Sequence, residues 1–371
     1  MKFTIEKNII LENLINVTRA ISSKNIIPIL NGVKFELTGE GLVLIASDSE
    51  LTIKSLIESK DIKNVGQEGN IVVSSERLVD IIRNMPKDLI DFEVIEGFKI
   101  VITSGESKYT LNCFDSSEYP IVRLDENKNP ILINSDTFKV MIGQTAFAIS
   151  NQEMRPLLTG INIKINGDIL ECIATDSYRL AKKIIKLANV AEQDVNIVMP
   201  GKNVLELDKI LSTDSPLEIH IFNNKILFKY ENLTFQSNLL SGTYPNTSNL
   251  IPTDFSIMLN LSLQEYNSAI VRAALLTSSK NNNIVRMHLA KNELTISSTA
   301  EQGYSQEKLV VDSNTQEELD VSFSAKYMLE ALKTFKDEQI LILLNGDTKP
   351  IVIKAVEDES LIQLILPIKM F

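Results

Sequence analysis

The 371-residue chain contains no tryptophan, two cysteines and two histidines. Two cysteines, Cys113 and Cys172, exclude a small fold held together by disulfides and point to a reducing compartment. Far apart in sequence, they read as two small buried thiols. His220 and His288 have no cysteine at zinc-ligand spacing, and each sits in an alternating strand pattern, so both read as structural. No apolar run approaches the roughly 18–20 residues needed to cross a membrane. The opening Met1-Lys2-Phe3-Thr4-Ile5-Glu6 alternates like a strand and lacks the apolar core of a signal peptide. A cytoplasmic location with no membrane partner is therefore expected. No G-x-x-x-x-G-K-[ST] loop is present, nor a G-x-G-x-x-G opening a helix. Asp48 and Asp176 each read as an Asx turn ending a strand rather than as halves of a catalytic carboxylate pair. With no catalytic constellation, the expectation is a binding scaffold, not an enzyme, that needs no cofactor. The formal net charge of −11 argues against a protein that grips nucleic acid over its whole surface. A whole-chain sum still leaves room for a local basic lining.

What is present is a pattern stated three times. The segment Leu42-Val43-Leu44-Ile45-Ala46-Ser47-Asp48 returns as Leu170-Glu171-Cys172-Ile173-Ala174-Thr175-Asp176 and again as Leu294-Thr295-Ile296-Ser297-Ser298-Thr299. Leu30-Asn31-Gly32-Val33 pairs with Leu158-Thr159-Gly160-Ile161, and Glu118-Tyr119-Pro120 with Thr243-Tyr244-Pro245. The repeating unit is about 120 residues, the size of a domain rather than of a solenoid repeat. The polar, proline-ended stretch Asp125–Pro130 and a second at Asn249–Asp254 read as linkers, which divides the chain into residues 1–127, 128–253 and 254–371.

Each copy runs strand, longer helix, strands, shorter helix, strands. In the first, Lys2–Ile5 alternates, and Ile10, Leu11, Leu14, Ile15, Ala20 and Ile21 recur at helical spacing opposite Glu12, Asn16, Arg19 and Ser23. In the third, Ser262 precedes Glu265 by three residues, a capping box that opens a helix over Leu263–Leu276. Phe138, Ile142, Thr145 and Ile149 mark the same helix in the second copy. The shorter helices carry an acidic residue at one matched place: Asp80, Glu206 and Glu330. Strands are expected at Leu217–Ile221, Ile226–Tyr230 and Ile340–Leu344.

The residues also resemble a known family. Met1–Ile5, Pro28-Ile29-Leu30, Ala174-Thr175-Asp176-Ser177-Tyr178-Arg179-Leu180, Gly242-Thr243-Tyr244-Pro245 and Leu366-Pro367-Ile368-Lys369-Met370-Phe371 are together similar to the bacterial DNA polymerase III beta subunits, the sliding clamps. The resemblance covers the whole chain. It implies an α+β fold of three clamp domains, each with two helices packed on antiparallel sheets. Two chains would close head to tail into a six-domain ring. Twelve helices spaced about 9–10 Å apart would line a hole of about 25 Å, wide enough for a hydrated duplex.

The resemblance further implies sites. Cations facing double-stranded DNA, without reading its sequence, would be Arg19, Lys24, Arg77, Arg83, Lys202, Arg272, Lys280, Lys326 and Lys333, with Gln152 in a contacting loop. The subunit joint would use Lys108, Tyr109 and Leu111 against Arg272, Leu275 and Leu276. Glu106 departs from the family there, since some relatives carry a basic residue. A pocket for short partner motifs would use Leu158, Thr175, Ser177, Tyr178, Arg179, Leu180, Pro245, Leu250, Tyr327, Leu366, Pro367 and Ile368. Pro156 and Asn249 differ from some relatives at its edge. Implied partners are a second copy of the chain, the clamp loader complex, the catalytic subunit of DNA polymerase III, and other polymerases and repair proteins carrying clamp-binding motifs. A carboxylate-based enzyme acting on nucleic acid and a scaffold binding only proteins are the alternatives that the residues alone leave open.

Overall fold

The threefold pattern becomes a threefold order of elements in a computed structural model, which describes residues 1–22, 24–212, 214–277 and 283–369. The first repeat holds β1 (Lys2–Glu6), α1 (Lys7–Thr18), β2 (Gly32–Thr38), β3 (Gly41–Ser47), β4 (Leu51–Glu58), β5 (Ile62–Gln67), β6 (Gly69–Ser74), α2 (Leu78–Arg83), β7 (Leu89–Ile95), β8 (Lys99–Ser104) and β9 (Ser107–Phe114). The second holds β10 (Ile131–Asn134), α3 (Ser135–Thr145), β11 (Gly160–Asn166), β12 (Ile169–Thr175), β13 (Arg179–Lys186), β14 (Val195–Pro200), α4 (Gly201–Ile210), β15 (Pro216–Ile221), β16 (Lys225–Tyr230) and β17 (Leu233–Asn238). The third holds β18 (Ile257–Ser262), α5 (Leu263–Ala274), β19 (Ile284–Ala290), β20 (Glu293–Ala300), β21 (Gly303–Val310), β22 (Asp312–Ser313), β23 (Leu319–Ser324), α6 (Ala325–Leu332), β24 (Gln339–Leu344), β25 (Ile351–Ala355) and β26 (Leu361–Ile365).

Local chemistry explains the helices. The Ser262 hydroxyl accepts a hydrogen bond from the Glu265 amide at 3.3 Å, which caps α5 as the sequence predicts. The helix buries Tyr266, Ala269, Ile270 and Ala273, one stripe at helical spacing. It stops at Ala274, shorter than the expected Leu276, because Leu275 already serves as its cap. In α1 the buried stripe is Ile10, Asn13, Leu14 and Val17. Asn13 is tolerated there because its side chain is satisfied. It donates to the Ile9 carbonyl at 2.7 Å and accepts from Ser55 and from Asn232, the latter at 2.7 Å.

The chain divides into two compact units: Met1–Asp136 with Lys209–Leu239, and Thr137–Asp208 with Leu240–Phe371. The first holds one antiparallel sheet of 13 strands, ordered β10-β15-β16-β17-β4-β3-β2-β6-β9-β8-β7-β1-β5. The second holds a sheet of nine, β14-β11-β12-β13-β26-β25-β24-β18-β22, and one of four, β21-β20-β19-β23. Repeats are joined by strand pairing. In the first unit β4 pairs with β17, and in the second β13 pairs with β26. In both, the third strand after the long helix meets the last strand of the following repeat.

Repeat anchors in the sequence have physical causes. A Cβ on Gly160 would lie 2.5 Å from the Met199 carbonyl oxygen, and one on Gly32 would lie 3.0 Å from that of Val73, so both strands start where only glycine fits. Asp48 Oδ1 accepts from the Glu50 and Leu51 amides at 3.0 and 2.8 Å. Asp176 Oδ1 accepts from Tyr178 and Arg179 at 2.9 and 3.0 Å. Both aspartates are thus Asx turns, and each sets a serine at positive φ, Ser49 at 75° and Ser177 at 79°. Among the described residues no helix is long and apolar enough to cross a membrane.

Candidate functional site

In the second unit the expected pocket residues lie around the β13–β26 joint. Their floor is a row of side chains facing one way across five strands. Thr175 of β12 pairs with Leu180 of β13, Leu180 with Leu364 of β26, Leu364 with Val352 of β25, and Val352 with Leu343 of β24. Leu158, Ile173, Val198 and Tyr244 complete a buried apolar cluster with this row. The Tyr244 hydroxyl accepts from the Thr175 amide at 3.1 Å, so the Tyr-Pro anchor of the sequence holds the strand end against the floor.

Around the floor stands a partly solvated rim. Tyr178 is 58% exposed, Leu250 51% and Leu366 38%, and Pro245 is exposed while Pro367 and Ile368 are half-buried. The Leu366 amide donates to the Tyr178 carbonyl at 2.9 Å, which brings the last strand's end beside the Asx turn. Ser177 accepts a hydrogen bond from Arg155 at 2.8 Å. Of the expected residues, Leu158 and Leu180 share the apolar cluster, Thr175 and Leu366 are tied to Arg179 and Tyr178, and Arg179 stacks on Tyr327; Leu364, Leu343, Val352 and Arg155 lie beside them and were not expected. The strand pairing that places Leu364 beside Leu180 joins residues 184 positions apart, so no local pattern could disclose it.

Arg179 plays a different part from its neighbours. Its Nε donates to Asp176 Oδ2 at 3.0 Å, one terminal nitrogen donates to Glu330, and the other donates to the Phe147 carbonyl at 2.6 Å. The guanidinium carbon lies 5.1 Å from the Phe147 ring centre and 4.4 Å from that of Tyr327. A buried cation is thus fully paired and stacked, and it ties β13 to α6 beside the expected pocket residues. Glu330 is the matched acidic residue of the short helix. Its equivalent Asp80 instead pairs within its own helix to Arg83 at 3.0 Å.

The corresponding row in the first unit is unlike this one. Ser47, Thr52, Gln236, Leu227 and His220 follow each other across β3, β4, β17, β16 and β15. His220 is 1% exposed and accepts from the Asn127 amide at 2.8 Å. An apolar floor exists at the second joint and a polar one at the first.

The expected cations lie on helices and their ends. In the first unit Arg19 caps α1 and is half-buried, Lys24 is exposed in the turn beyond, Arg77 precedes α2, and Arg83 ends it. In the second, Lys202 lies in the first turn of α4, Lys326 opens α6, and Lys333 caps it, all exposed. Gln152 is exposed in the loop after α3. Lys280 lies outside the described residues. Arg272 is bound to Glu307 of β21 through two nitrogens at 2.6 and 2.9 Å. That hydrogen bonding holds the Glu307 carboxyl below its ordinary range.

Among the open strand edges of the described residues are those of β9 and β21. β9 pairs with β8 along its length, but β6 reaches only Cys113 and Phe114. Lys108 and Tyr109 are exposed on the open stretch and Leu111 is half-buried. β21 pairs with β20 alone. Near it Leu275 is 78% exposed, and Leu276 is half-buried. Open edges carrying apolar side chains are surfaces that proteins normally cover. Among the described residues no cluster of three or more histidine, cysteine or carboxylate side chains could hold a metal.

Comparison with known proteins agrees with this architecture. Family models of the DNA polymerase III beta subunit match residues 1–123 (N-terminal domain), 132–246 (central domain) and 248–369 (C-terminal domain). The beta sliding clamp of Bacillus subtilis is 38% identical over the full length of both chains, and that of Staphylococcus aureus is 36% identical over the full length of both. The crystal structure of the Bacillus subtilis sliding clamp superposes with a TM-score of 0.96 at 38% identity, covering all of each chain. The beta chain from Streptococcus pneumoniae gives 0.94 at 34%, again covering all of each chain. The chain belongs to the DNA polymerase III beta subunit family, the sliding clamps, and acts as the non-catalytic processivity subunit of that polymerase.

Proposed function

We propose that two copies of the chain close head to tail into a ring that encircles duplex DNA in the cytoplasm. The ring carries three domains per chain, 1–127, 128–253 and 254–371. The observation that carries this reading is the common register of the two in-chain joints. Ile53 faces Phe235 in one and Ala181 faces Gln363 in the other, at matched places. Each joint consumes one third strand and one last strand. The third strand left over is β21 and the last strand left over is β9, and both have an open edge. Pairing them between copies repeats the same joint and closes the ring. Tyr109, Leu111, Leu275 and Leu276 then become covered, with Lys108 and Arg272 at the margin.

A closed ring holds DNA by topology, so an acidic chain can serve. Contacts from Arg19, Lys24, Arg77, Arg83, Gln152, Lys202, Arg272, Lys280, Lys326 and Lys333 would be to phosphate, without base readout, which permits sliding. The expected pocket of the second unit, from Leu158 and Leu180 to Leu366 and Ile368, would take short motifs with aliphatic anchors. Such motifs would come from the polymerase catalytic subunit, the clamp loader and repair proteins.

The test is retention on DNA. The protein is loaded on a nicked circle with its clamp loader and ATP, then filtered before and after the circle is cut. Retention on the circle and loss from the linear form is expected. Equal retention on both would replace encirclement by ordinary affinity and overturn the reading.

A further inference from the structure

The in-chain joints agree in one more detail. At the first, the Leu56 amide donates to the Asn232 carbonyl at 3.0 Å, and at the second the Ile184 amide donates to the Ser360 carbonyl at 2.9 Å. Beside each backbone bond two side chains meet. Asn232 Nδ2 donates to Ser55 Oγ at 3.1 Å, and Lys183 Nζ donates to Ser360 Oγ at 2.5 Å. A favourable polar pair closes the joint in both cases.

Matched residues on the open strands follow from register. Thr52 pairs with Ser47, Leu180 with Thr175, and Tyr304 with Thr299, so Ser55, Lys183 and Glu307 each stand three residues further along. On the last strands, Asn232 lies eight residues before Leu240, whose amide bonds to the Val198 carbonyl, and Ser360 eight before Ile368, whose amide bonds to that of Ser322. Val72 matches Val198 and Ser322, and it pairs with Phe114. Eight residues before Phe114 is Glu106, directly ahead of β9.

We propose that Glu106 of one copy meets Glu307 of the other at each ring joint, so that two carboxylates stand where the in-chain joints place a hydrogen-bonded pair, and that this repulsion sets how readily the ring opens. The inference rests on the ring reading. Arg272 already spends two hydrogen bonds on Glu307, so one guanidinium must serve both carboxylates. Lys308 is matched to Leu56 and Ile184, so its amide stands opposite the Glu106 carbonyl, while its exposed side chain is bonded to Glu293 at 2.8 Å. Within the chain the joints are held additionally by covalent linkage. Only the joint between copies has to part, and it carries the unfavourable pair.

Sedimentation equilibrium of the full chain tests this. Glu106→Lys should tighten the dimer about tenfold or more at low salt, since every ring contains two such contacts. The gain should shrink at high salt, and Glu106→Gln should give an intermediate gain. In a Glu307→Gln background the effect of Glu106→Lys should fall by at least half. An unchanged or weaker dimer for Glu106→Lys, or a full gain in the Glu307→Gln background, overturns the carboxylate contact and leaves the ring intact. A dimer that survives Tyr109→Asp, or a wild-type chain that is monomeric at all concentrations, overturns the ring itself and the contact with it.

Discussion

Arg179 is the residue on which the expected pocket depends most, although its charge never reaches the surface. Replacing it by methionine strands Asp176 and Glu330 beside a low-dielectric cluster and removes the cation between two rings. A loss of about 3 kcal/mol is expected, read by urea unfolding. Adding Glu330→Gln should recover part of that loss, because the cost lies in the unpaired carboxylate. The cysteines behave in the opposite way, with burial pushing the thiols of Cys113 and Cys172 up to about 12. The folded chain therefore disfavours thiolate. Stability attached to these groups is full below the ordinary value of 9.0 and is lost as pH climbs from there towards about 12. At pH 8 a thiol reagent should label neither cysteine rapidly in the native protein and both in denaturant; fast native labelling of Cys172 would contradict its burial. The sequence made the buried Cys172 and the Asx turns legible because each is a local matter of residue type, whereas Cys113, expected to be buried, is half-buried. The engagement of Arg179 was not legible, since its partners come from three separate elements, at Phe147, Asp176 and Tyr327 with Glu330.

Elements were read well where periodicity is strong. The helix over Ser262 and the strands at 216–221 and 339–344 follow from capping and alternation. The buried Asn13 broke the apolar stripe of α1 for a reason found 219 residues away, at Asn232. Close approach of strands is equally non-local. Gly160 starts β11 against the Met199 carbonyl, so Gly160→Ala should cost about 1–3 kcal/mol through overpacking. Gly32→Ala should cost less, because the nearest atom to its Cβ position is a Val72 methyl that can rotate, with the backbone oxygen further off. Thermal unfolding of the two variants checks the order. The apolar floor at the second joint also belongs to this scale. Leu180, Leu364 and Leu343 in one joint stand at the positions that Thr52, Gln236 and His220 hold in the other, so two joints of one register differ in what they can hold.

At the scale of the molecule, repetition and compactness divide the chain differently. Sequence recurs three times, whereas strand pairing gathers the chain into two units and shares the middle repeat between them. That sharing was hidden in the sequence because one repeat cannot state which edge its neighbour will take. The net charge of −11 fits a protein retained by closure rather than by affinity. Short linear duplexes should accordingly bind weakly and release with added salt.

Tyr109 offers a practical use of the open β9 edge. The ring is 44% exposed, and the chain has no tryptophan to compete with it optically. A Tyr109→Trp variant would carry a single indole emitter at the proposed ring joint. Its emission would shift to the blue as copies assemble and to the red as they part, so opening by a loader could be followed in real time without a chemical dye.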